Sequence, residues 1–115
     1  MKQNTYKFGN FAETIAANFL RLKGYRILER RFKTKVGEVD IVAKKLRTLV
    51  FVEVKARRKN ELIEVILRQH QINRIKKAAE FFLMMNQKYH DFDVRFDFIL
   101  FNESLVPEHH EGYFE

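Results

Sequence analysis

Two apolar segments of the sequence carry charged residues at positions where a buried β-strand normally has none. The first spans residues 36–43 (VGEVDIVA) and the second spans residues 49–56 (LVFVEVKA). Both are short and rich in valine and isoleucine, which predicts two β-strands. Asp40 lies inside the first, and Glu53 and Lys55 lie inside the second. Because an unpaired charge is costly to bury, these three residues need partners, a metal ion or a chemical role.

Length and composition predict one domain over residues 1–115. The chain has 115 residues, of which 46% are apolar, enough for a hydrophobic core and unlike a disordered segment. It contains no cysteine, which excludes disulfides, zinc sites with thiolate ligands and a cysteine nucleophile. The N-terminus has no apolar signal segment, and no apolar run reaches membrane-spanning length. We therefore expect a soluble, cytoplasmic protein without a membrane partner.

The positive charge is concentrated in the first half of the chain. Residues 1–60 contain 16 Lys and Arg against 5 Asp and Glu, whereas residues 61–115 contain 6 against 10. Contacts from Lys and Arg to phosphates dominate the affinity of proteins for nucleic acids, so this distribution favours a polyanionic partner. A basic surface that only keeps the protein in solution is the alternative that charge alone leaves open.

Two segments have the apolar spacing of amphipathic helices. The first predicted helix spans Asn10–Lys23, with Asn10 as its N-cap and Gly24 as its C-terminal stop. Glu13 lies three residues after Asn10, where a capping box places its acid, and this gives Glu13 a purely structural explanation. The second predicted helix spans about Gln69–Lys88.

Strands are predicted over Tyr25–Lys33 and Val94–Phe101 in addition to the two charged segments. Phe32 points inward together with Tyr25 only if its strand is bulged or ends early. Alternation places Val39, Ile41 and Ala43 on one face of the second strand, opposite Glu38, Asp40 and Val42. On the third strand it places Leu49, Phe51, Glu53 and Lys55 together, opposite Val50, Val52 and Val54.

The predicted element order is αβββαβ, which indicates an α/β fold with a mixed sheet flanked by helices. Residues 61–67 are not assigned to an element. From about residue 103 we expect an exposed acidic tail. His109 and His110 lie within it, and a metal site at this pair is the weaker alternative.

Asp40, Glu53 and Lys55 form a set that suits metal-dependent cleavage of phosphodiesters. Glu53 and Lys55 project from one face of their strand, and Asp40 joins them if the two strands form a hairpin. Two carboxylates are suitable ligands for Mg²⁺ or Mn²⁺, and a nearby lysine can orient water and offset charge on a phosphate. The alternative is an ion pair between Glu53 and Lys55 on a solvated face, with Asp40 in a turn, because the motif is short and degenerate.

The segments GEVDIVA and LVFVEVKAR resemble the signature of the YraN family of small bacterial proteins. That family is similar to Holliday-junction resolvases and to the PD-(D/E)xK, or restriction-endonuclease-like, nucleases. The resemblance extends to Gly9 and Glu13 in the first helix, Gly24 and Tyr25 after it, Ala78 and Ala79 in the second helix, and Arg95, Phe96 and Asp97 in the last strand. It implies a restriction-endonuclease-like αβββαβ core. The chain departs from the family over residues 60–67, before the second helix.

The resemblance also assigns roles to single residues. Asp40 and Glu53 match the metal-binding acids, Lys55 matches the catalytic lysine, and Glu13 matches a helix acid that completes many resolvase-like sites. Gln71 falls near a polar position of related nucleases, and Glu38 ranks below Asp40 as a ligand.

The leading hypothesis is a Mg²⁺- or Mn²⁺-dependent nuclease acting on DNA, with branched or repair intermediates as candidate substrates and a homodimer as a candidate assembly. The residues expected to hold backbone phosphates are Arg30, Arg31, Lys33, Arg57 and Arg58. One alternative is a nucleic-acid-binding module that keeps the fold without turnover. Another is a protein with a structural ion-pair network and a protein partner.

Overall fold

A computed structural model describes residues 2–56, 68–102 and 104–115. These residues form two α-helices, one short 3-10 turn and five β-strands. In chain order the elements are α1 (Lys2–Leu22), β1 (Arg26–Lys33), β2 (Glu38–Lys45), β3 (Thr48–Ala56), α2 (Gln69–Met85), the 3-10 turn (Gln87–Tyr89), β4 (Asp93–Phe101) and β5 (Pro107–Phe114).

The five strands form one mixed sheet in the order β1-β2-β3-β4-β5. β3 and β4 are parallel, and the other neighbouring pairs are antiparallel. The expected α/β fold and its αβββαβ element order are therefore confirmed, and β5 is an additional edge strand. The β2–β3 hairpin is also confirmed, since Lys45 pairs with Thr48 across a two-residue turn.

The helices cover opposite faces of the sheet, as the nearly continuous apolar strands predicted. On the α1 face, Leu20 packs in one cluster with Val50 and Val52. On the α2 face, Phe82 packs in a second cluster with Phe51. Burying a side chain of this size contributes roughly 1.5–3 kcal/mol, so the two clusters account for much of the driving force for folding.

The start of α1 differs from the prediction. The helix begins at Lys2, so Asn10 lies within it and cannot be its N-cap. The interpretation of Glu13 as the acid of a capping box is therefore wrong. The residues before Asn10 contain no proline, and Gly9 alone lowers helix stability by only about 1 kcal/mol, so nothing ends the helix there. The C-terminal stop at Gly24 is confirmed by its φ of 94°.

β1 contains a bulge, but the bulge does not bring Phe32 to the face of Tyr25. The register with β2 shifts between Ile27 and Glu29. Phe32 packs inward on the α2 face, with its ring centroid 5.5 Å from that of Phe82, whereas Tyr25 packs on the α1 face. The expectation that Phe32 needs a bulge to point inward is therefore wrong, because helices cover both faces of the sheet. Arg31, directly before Phe32, has a φ of 54°, a left-handed conformation that is uncommon for residues other than glycine.

The expected alternation along β2 fails at its beginning. Ile41 and Ala43 pack on the α1 face, but Val39 packs with Val42 on the α2 face. The interruption falls at Asp40, which lies opposite Arg31 in the β1–β2 register. The left-handed backbone at Arg31 turns the start of this hairpin, which moves Val39 to the other face. On β3 the predicted division into two faces is confirmed for Leu49, Val50, Phe51, Val52 and Val54.

The prediction of an exposed acidic tail is wrong for residues 107–114, which form β5. β5 pairs antiparallel with β4, with Ile99 opposite His109. The side chain of His109 is only 3% exposed. The acidic composition of this segment concealed a strand whose burial depends on pairing with β4.

Candidate metal and nucleic-acid site

Asp40 lies where β2 and β3 separate. The paired residues of this hairpin begin at Ile41 and Val52, so the strands are no longer paired at Asp40 and Val54. There the Asp40 Oδ2 accepts a hydrogen bond from the Val54 backbone N–H at 2.8 Å. The carboxylate thus takes the place of a backbone carbonyl and is held between the two strands. The alternative that put Asp40 in a turn is contradicted.

Glu53 is nearly buried next to Asp40. The whole residue is 9% exposed, and Asp40 lies close enough to its carboxyl group to disfavour the ionised form. Burial raises the pKa of the Glu53 carboxyl well above its usual range, and the nearby charge of Asp40 raises it further. Two like charges held close together at a nearly buried position repel each other, and a divalent cation between them would relieve that repulsion.

Lys55 shares the face of Glu53, as the alternation predicted. Its Nζ lies 3.9 Å from Glu53 Oε2, and its side chain is 31% exposed. The amine therefore contacts both the buried acid and the solvent. The alternative of a Glu53–Lys55 ion pair on a solvated face is correct about the pairing but wrong about the burial of Glu53.

Glu13 approaches the same region from α1. It is 6% exposed and makes ion pairs with Arg31 at 3.3 Å and with Arg30 at 3.5 Å. Its Oε1 is buried and has no hydrogen-bond partner among the described residues. Burial raises the pKa of Glu13, and so does the nearby Asp40 carboxylate, against the lowering effect of the two arginines. Glu13 is thus electrostatically coupled to Asp40.

Three of the predicted phosphate-binding residues lie on β1 beside these acids. Arg31 and Lys33 line a cavity of about 240 Å³ together with Glu38 and Asp40. Arg30 donates a hydrogen bond from Nη2 to Thr14 Oγ1 at 2.9 Å, next to Glu13. The structure therefore places cationic side chains next to the carboxylates, on the outer strand of the sheet.

The remaining predicted site residues are Gln71, Glu38, Arg57 and Arg58. Gln71 lies in the first turn of α2 and is half-buried. Arg57 and Arg58 lie outside the described residues, as does the unassigned segment 61–67. Glu38 is exposed at the start of β2, and its charge contributes to raising the pKa of Glu53.

A second buried polar cluster was missed by the sequence analysis. Asp97, which is fully buried, accepts hydrogen bonds from Arg95 Nε and Nη2 at 2.8 Å each and from the Gly112 N–H at 2.9 Å. His109 Nε2 lies 2.7 Å from the same carboxylate, and Lys23 Nζ lies 2.7 Å from His109 Nδ1. Since an ammonium only donates, the neutral ring accepts at Nδ1 and donates from Nε2 to Asp97.

The sequence did contain a signal for this cluster. Asp97 stands between Phe96 and Phe98 in an apolar strand, the same anomaly that singled out Asp40. Burial acts to raise the pKa of Asp97, but the hydrogen bonds from His109, Arg95 and Gly112 outweigh it and hold the pKa below its ordinary value. The cluster joins β5 to β4 and to the end of α1.

Comparison with known proteins identifies the family. The profile of the "Uncharacterised protein family UPF0102" matches residues 12–101. The chain belongs to the UPF0102 family. This confirms the YraN-like family expected from the two charged segments, and the UPF0102 match contains Glu13, Asp40, Glu53 and Lys55 but ends before β5.

Relatives extend this similarity over the whole chain. A UPF0102 protein of Nitrobacter winogradskyi is 42% identical over 115 residues, which cover 100% of this chain and 98% of that protein. A UPF0102 protein of Rhodopseudomonas palustris (strain HaA2) is 45% identical over 104 residues, covering 90% of this chain and 81% of the relative. One of Campylobacter hominis is 42% identical over 101 residues, covering 88% of each chain.

Two further findings bear on metals and membranes. Within residues 2–56, 68–102 and 104–115, no group of three or more His, Asp or Glu side chains is arranged to hold a metal ion. Asp40 and Glu53 are thus a pair of acids, with Glu13 nearby but held by arginines. Among the same residues, neither helix is long and apolar enough to cross a membrane.

Proposed function

We propose that this protein is a metal-dependent nuclease with a restriction-endonuclease-like core that hydrolyses DNA phosphodiesters. The observation that carries the proposal is the placement of Asp40 next to the nearly buried Glu53 at the point where β2 and β3 separate, with Lys55 Nζ 3.9 Å from Glu53 Oε2. The αβββαβ order is consistent with such a core. Branched recombination and repair intermediates are the candidate substrates.

The donor set fits a hard divalent cation. Mg²⁺ and Mn²⁺ prefer carboxylate oxygens, and Mg²⁺ commonly uses one or two carboxylates while it keeps several waters. Asp40 and Glu53 would hold the cation, because its positive charge would relieve the repulsion between the two carboxylates. Glu13 would join them through its buried Oε1 if Arg30 and Arg31 moved to DNA phosphates. When bound, such a cation supplies a Lewis acid that stabilises negative charge on a phosphate oxygen.

Lys55 would act on the water and on the phosphate. Its Nζ contacts Glu53 while remaining open to solvent, so it can hold a water molecule and donate to a phosphate oxygen that gains charge. In a partly buried site this charge stabilisation is stronger than in bulk water. Lys55 is therefore proposed as the residue that orients water.

The basic residues would hold the DNA backbone. Arg30, Arg31 and Lys33 lie on β1 beside the acids, and Arg57 and Arg58 follow β3 in the sequence. Phosphate contacts of this type position a duplex without reading its sequence. These cations would also offset the repulsion between the DNA phosphates and the acids. A protein that only binds DNA has no reason to place acids next to a phosphate.

A second candidate function is nucleic-acid binding without cleavage. The observation in its favour is that Glu13 is held by Arg30 and Arg31, which leaves two acids rather than three. Binding by such a module needs the arginines but neither Asp40 nor Lys55.

The test is incubation of the purified protein with labelled linear, single-stranded and four-way DNA, in Mn²⁺ or in EDTA. Cleavage in Mn²⁺ that is lost in both Asp40→Ala and Lys55→Ala, with circular dichroism unchanged, is the expected result. Exposed Lys77→Ala on α2 is the matched control and keeps full activity. Binding of every substrate without cleavage would instead establish the second candidate. A molar mass measured by light scattering tests the homodimer independently.

A further inference from the structure

A second cavity lies at the opposite end of the β1–β2 pair from the carboxylates. Its volume is about 450 Å³, within the range typical of small-molecule sites. Lys44 on its rim lies four residues after Asp40 on β2, which separates the two sites by roughly 13 Å along the strand. The cavity is therefore distinct from the proposed nuclease site.

Three aromatic rings form the inner wall of this cavity. Phe82 and Tyr89 are stacked, with centroids 6.0 Å apart and an interplanar angle of 14°. Tyr89 and Phe92 meet edge to face at 5.0 Å. Phe82 and Tyr89 are buried in the core, so these rings are fixed in place before any ligand arrives. A wall of fixed rings suits a planar ligand.

Irregular backbone at three places creates the space. The β-bulge between Ile27 and Glu29 displaces Leu28, which lines the cavity. α2 ends at Met85, and the 3-10 turn that follows carries Tyr89 back toward the sheet. Asn86 joins the two by donating from Nδ2 to the Phe82 carbonyl at 2.9 Å, which leaves its Oδ1 as an acceptor. Bulges of this kind are over-represented next to functional sites.

The rim of the cavity is cationic. Arg26, Lys44 and Lys88 line it, against a single acid, Glu29. Arg26 and Lys44 are direct partners in the β1–β2 register, and both line the cavity. Two neighbouring cations on paired strands repel each other, and an anion between them would relieve that repulsion.

The lysines are held at the faces of the same rings. Lys44 Nζ lies 5.7 Å from the centroid of Phe92, and Lys88 Nζ lies 5.3 Å from that of Tyr89. A cation–π contact at a partly exposed site contributes only about 0.5–1 kcal/mol, so a phosphate can draw these amines away while a base takes their place on the rings.

We propose that this cavity binds a nucleoside phosphate. The base packs against Tyr89 and Phe92, the phosphate binds between Arg26 and Lys44, and Asn86 Oδ1 accepts a hydrogen bond from the base. The ligand is either a free nucleotide or one unit of a nucleic-acid strand, since both present the same base and phosphate. The competing explanation is that the cations only offset the negative end of α2, which predicts no ligand.

Calorimetric titration of the full chain in EDTA with AMP, adenosine and the tetranucleotide d(A)₄ tests the proposal. We expect Arg26→Ala and Lys44→Ala each to weaken binding by about five-fold, the effect of losing one partly exposed charged hydrogen bond. Glu29→Gln removes the acid and should tighten binding about two-fold. Lys77→Ala, an exposed basic residue on α2, is the matched control and should change nothing.

The titrations distinguish a free nucleotide from a nucleic-acid strand, and both from cations that only offset the negative end of α2. Binding of AMP that adenosine does not reproduce identifies a free nucleotide as sufficient. Binding of d(A)₄ alone, with the same response to Lys44→Ala, identifies a strand. Absence of binding by both AMP and d(A)₄, or binding that responds to Asp40→Ala instead of to Arg26→Ala and Lys44→Ala, overturns the proposal. None of these titrations measures cleavage, so the nucleoside-phosphate site and the nuclease activity are tested independently of each other.

Discussion

Replacing Glu53 by glutamine should stabilise the fold and remove the metal site at the same time. Glu53 is nearly buried and in contact with a second acid, so its ionised form is unfavourable in the folded protein. Glutamine keeps the shape of the side chain, and its amide can still donate a hydrogen bond to Asp40. The substitution therefore removes the charge and little else.

The size of the effect can be worked from the contacts of the carboxylate. At 3.9 Å, Lys55 attracts it by about 4 kcal/mol in an effective dielectric of 20, before a discount for the exposure of Lys55. Repulsion from Asp40 opposes this attraction and outweighs it. What remains is the desolvation of one buried charge, which amounts to several kcal/mol in proteins and is relieved in part by protonation. We expect Glu53→Gln to raise the free energy of unfolding by about 1–2 kcal/mol at neutral pH.

The dependence of stability on pH independently tests whether Glu53→Gln stabilises the fold. Because burial raises the pKa of Glu53, the folded protein binds this proton more tightly than the unfolded chain. The destabilisation by Glu53 is therefore absent below the ordinary pKa of a glutamate and grows as the pH rises toward the raised value. The advantage of Glu53→Gln should shrink to nothing in acid.

Urea unfolding followed by circular dichroism, at several pH values and with or without Mn²⁺, measures both effects. Mn²⁺ should stabilise the wild type by about 2.7 kcal/mol at one hundred times its dissociation constant and should stabilise Glu53→Gln much less. Glu80→Gln, at an exposed position on α2, is the control and should stay within about 0.5 kcal/mol of the wild type. A Glu53→Gln protein that is less stable than the wild type at neutral pH would refute the reasoning.

Three further substitutions test other parts of the structure. Gly37→Ala would place a Cβ 1.9 Å from the carbonyl oxygen of Arg74 in α2, so thermal unfolding should show a loss of at least about 3 kcal/mol, and a neutral effect would contradict this packing. Asp97→Asn should cost about 3 kcal/mol because it leaves buried donors without a charged acceptor. Since the pKa of Asp97 is lowered, the contribution of its charge is present above the ordinary pKa of an aspartate and is lost as the pH falls, so unfolding curves of the variant and wild type should converge in acid. Reversing the charges of Arg57 and Arg58 should weaken DNA binding and flatten the dependence of log K on log salt, and an unchanged slope would exclude phosphate contacts there.

Local patterns in the sequence predicted most of the fold. Apolar spacing located both helices, and alternation separated the two faces of β3 correctly, because both faces are covered and each position must match its environment. The two-residue spacing of Glu53 and Lys55 correctly placed both side chains on one face of β3. The family resemblance then supplied Glu13, whose position on α1 has no local signal that distinguishes it from a cap.

The failures arise where long-range contacts override local preference. β5 is a strand although its composition is polar. His109 is buried there because Asp97 on β4 accepts a hydrogen bond from its ring and Lys23 donates one to it. No rule based on neighbouring residues could detect that. The reversal of Val39 depends on the left-handed backbone of Arg31 on a different strand. In both places the interaction partner is distant in sequence.

The most direct test of the proposed nuclease compares the single-turnover cleavage rate of Lys55→Ala with its affinity for Mn²⁺. Lys55 contacts Glu53 but is not proposed as a metal ligand, so calorimetry should show Mn²⁺ binding within a few-fold of the wild type. The rate of cleavage of a labelled four-way DNA should nevertheless fall by about 10²–10⁴, the usual contribution of a side chain that acts on the attacking water. Wild-type cleavage that persists in EDTA, or an undiminished rate in Lys55→Ala, would contradict the account.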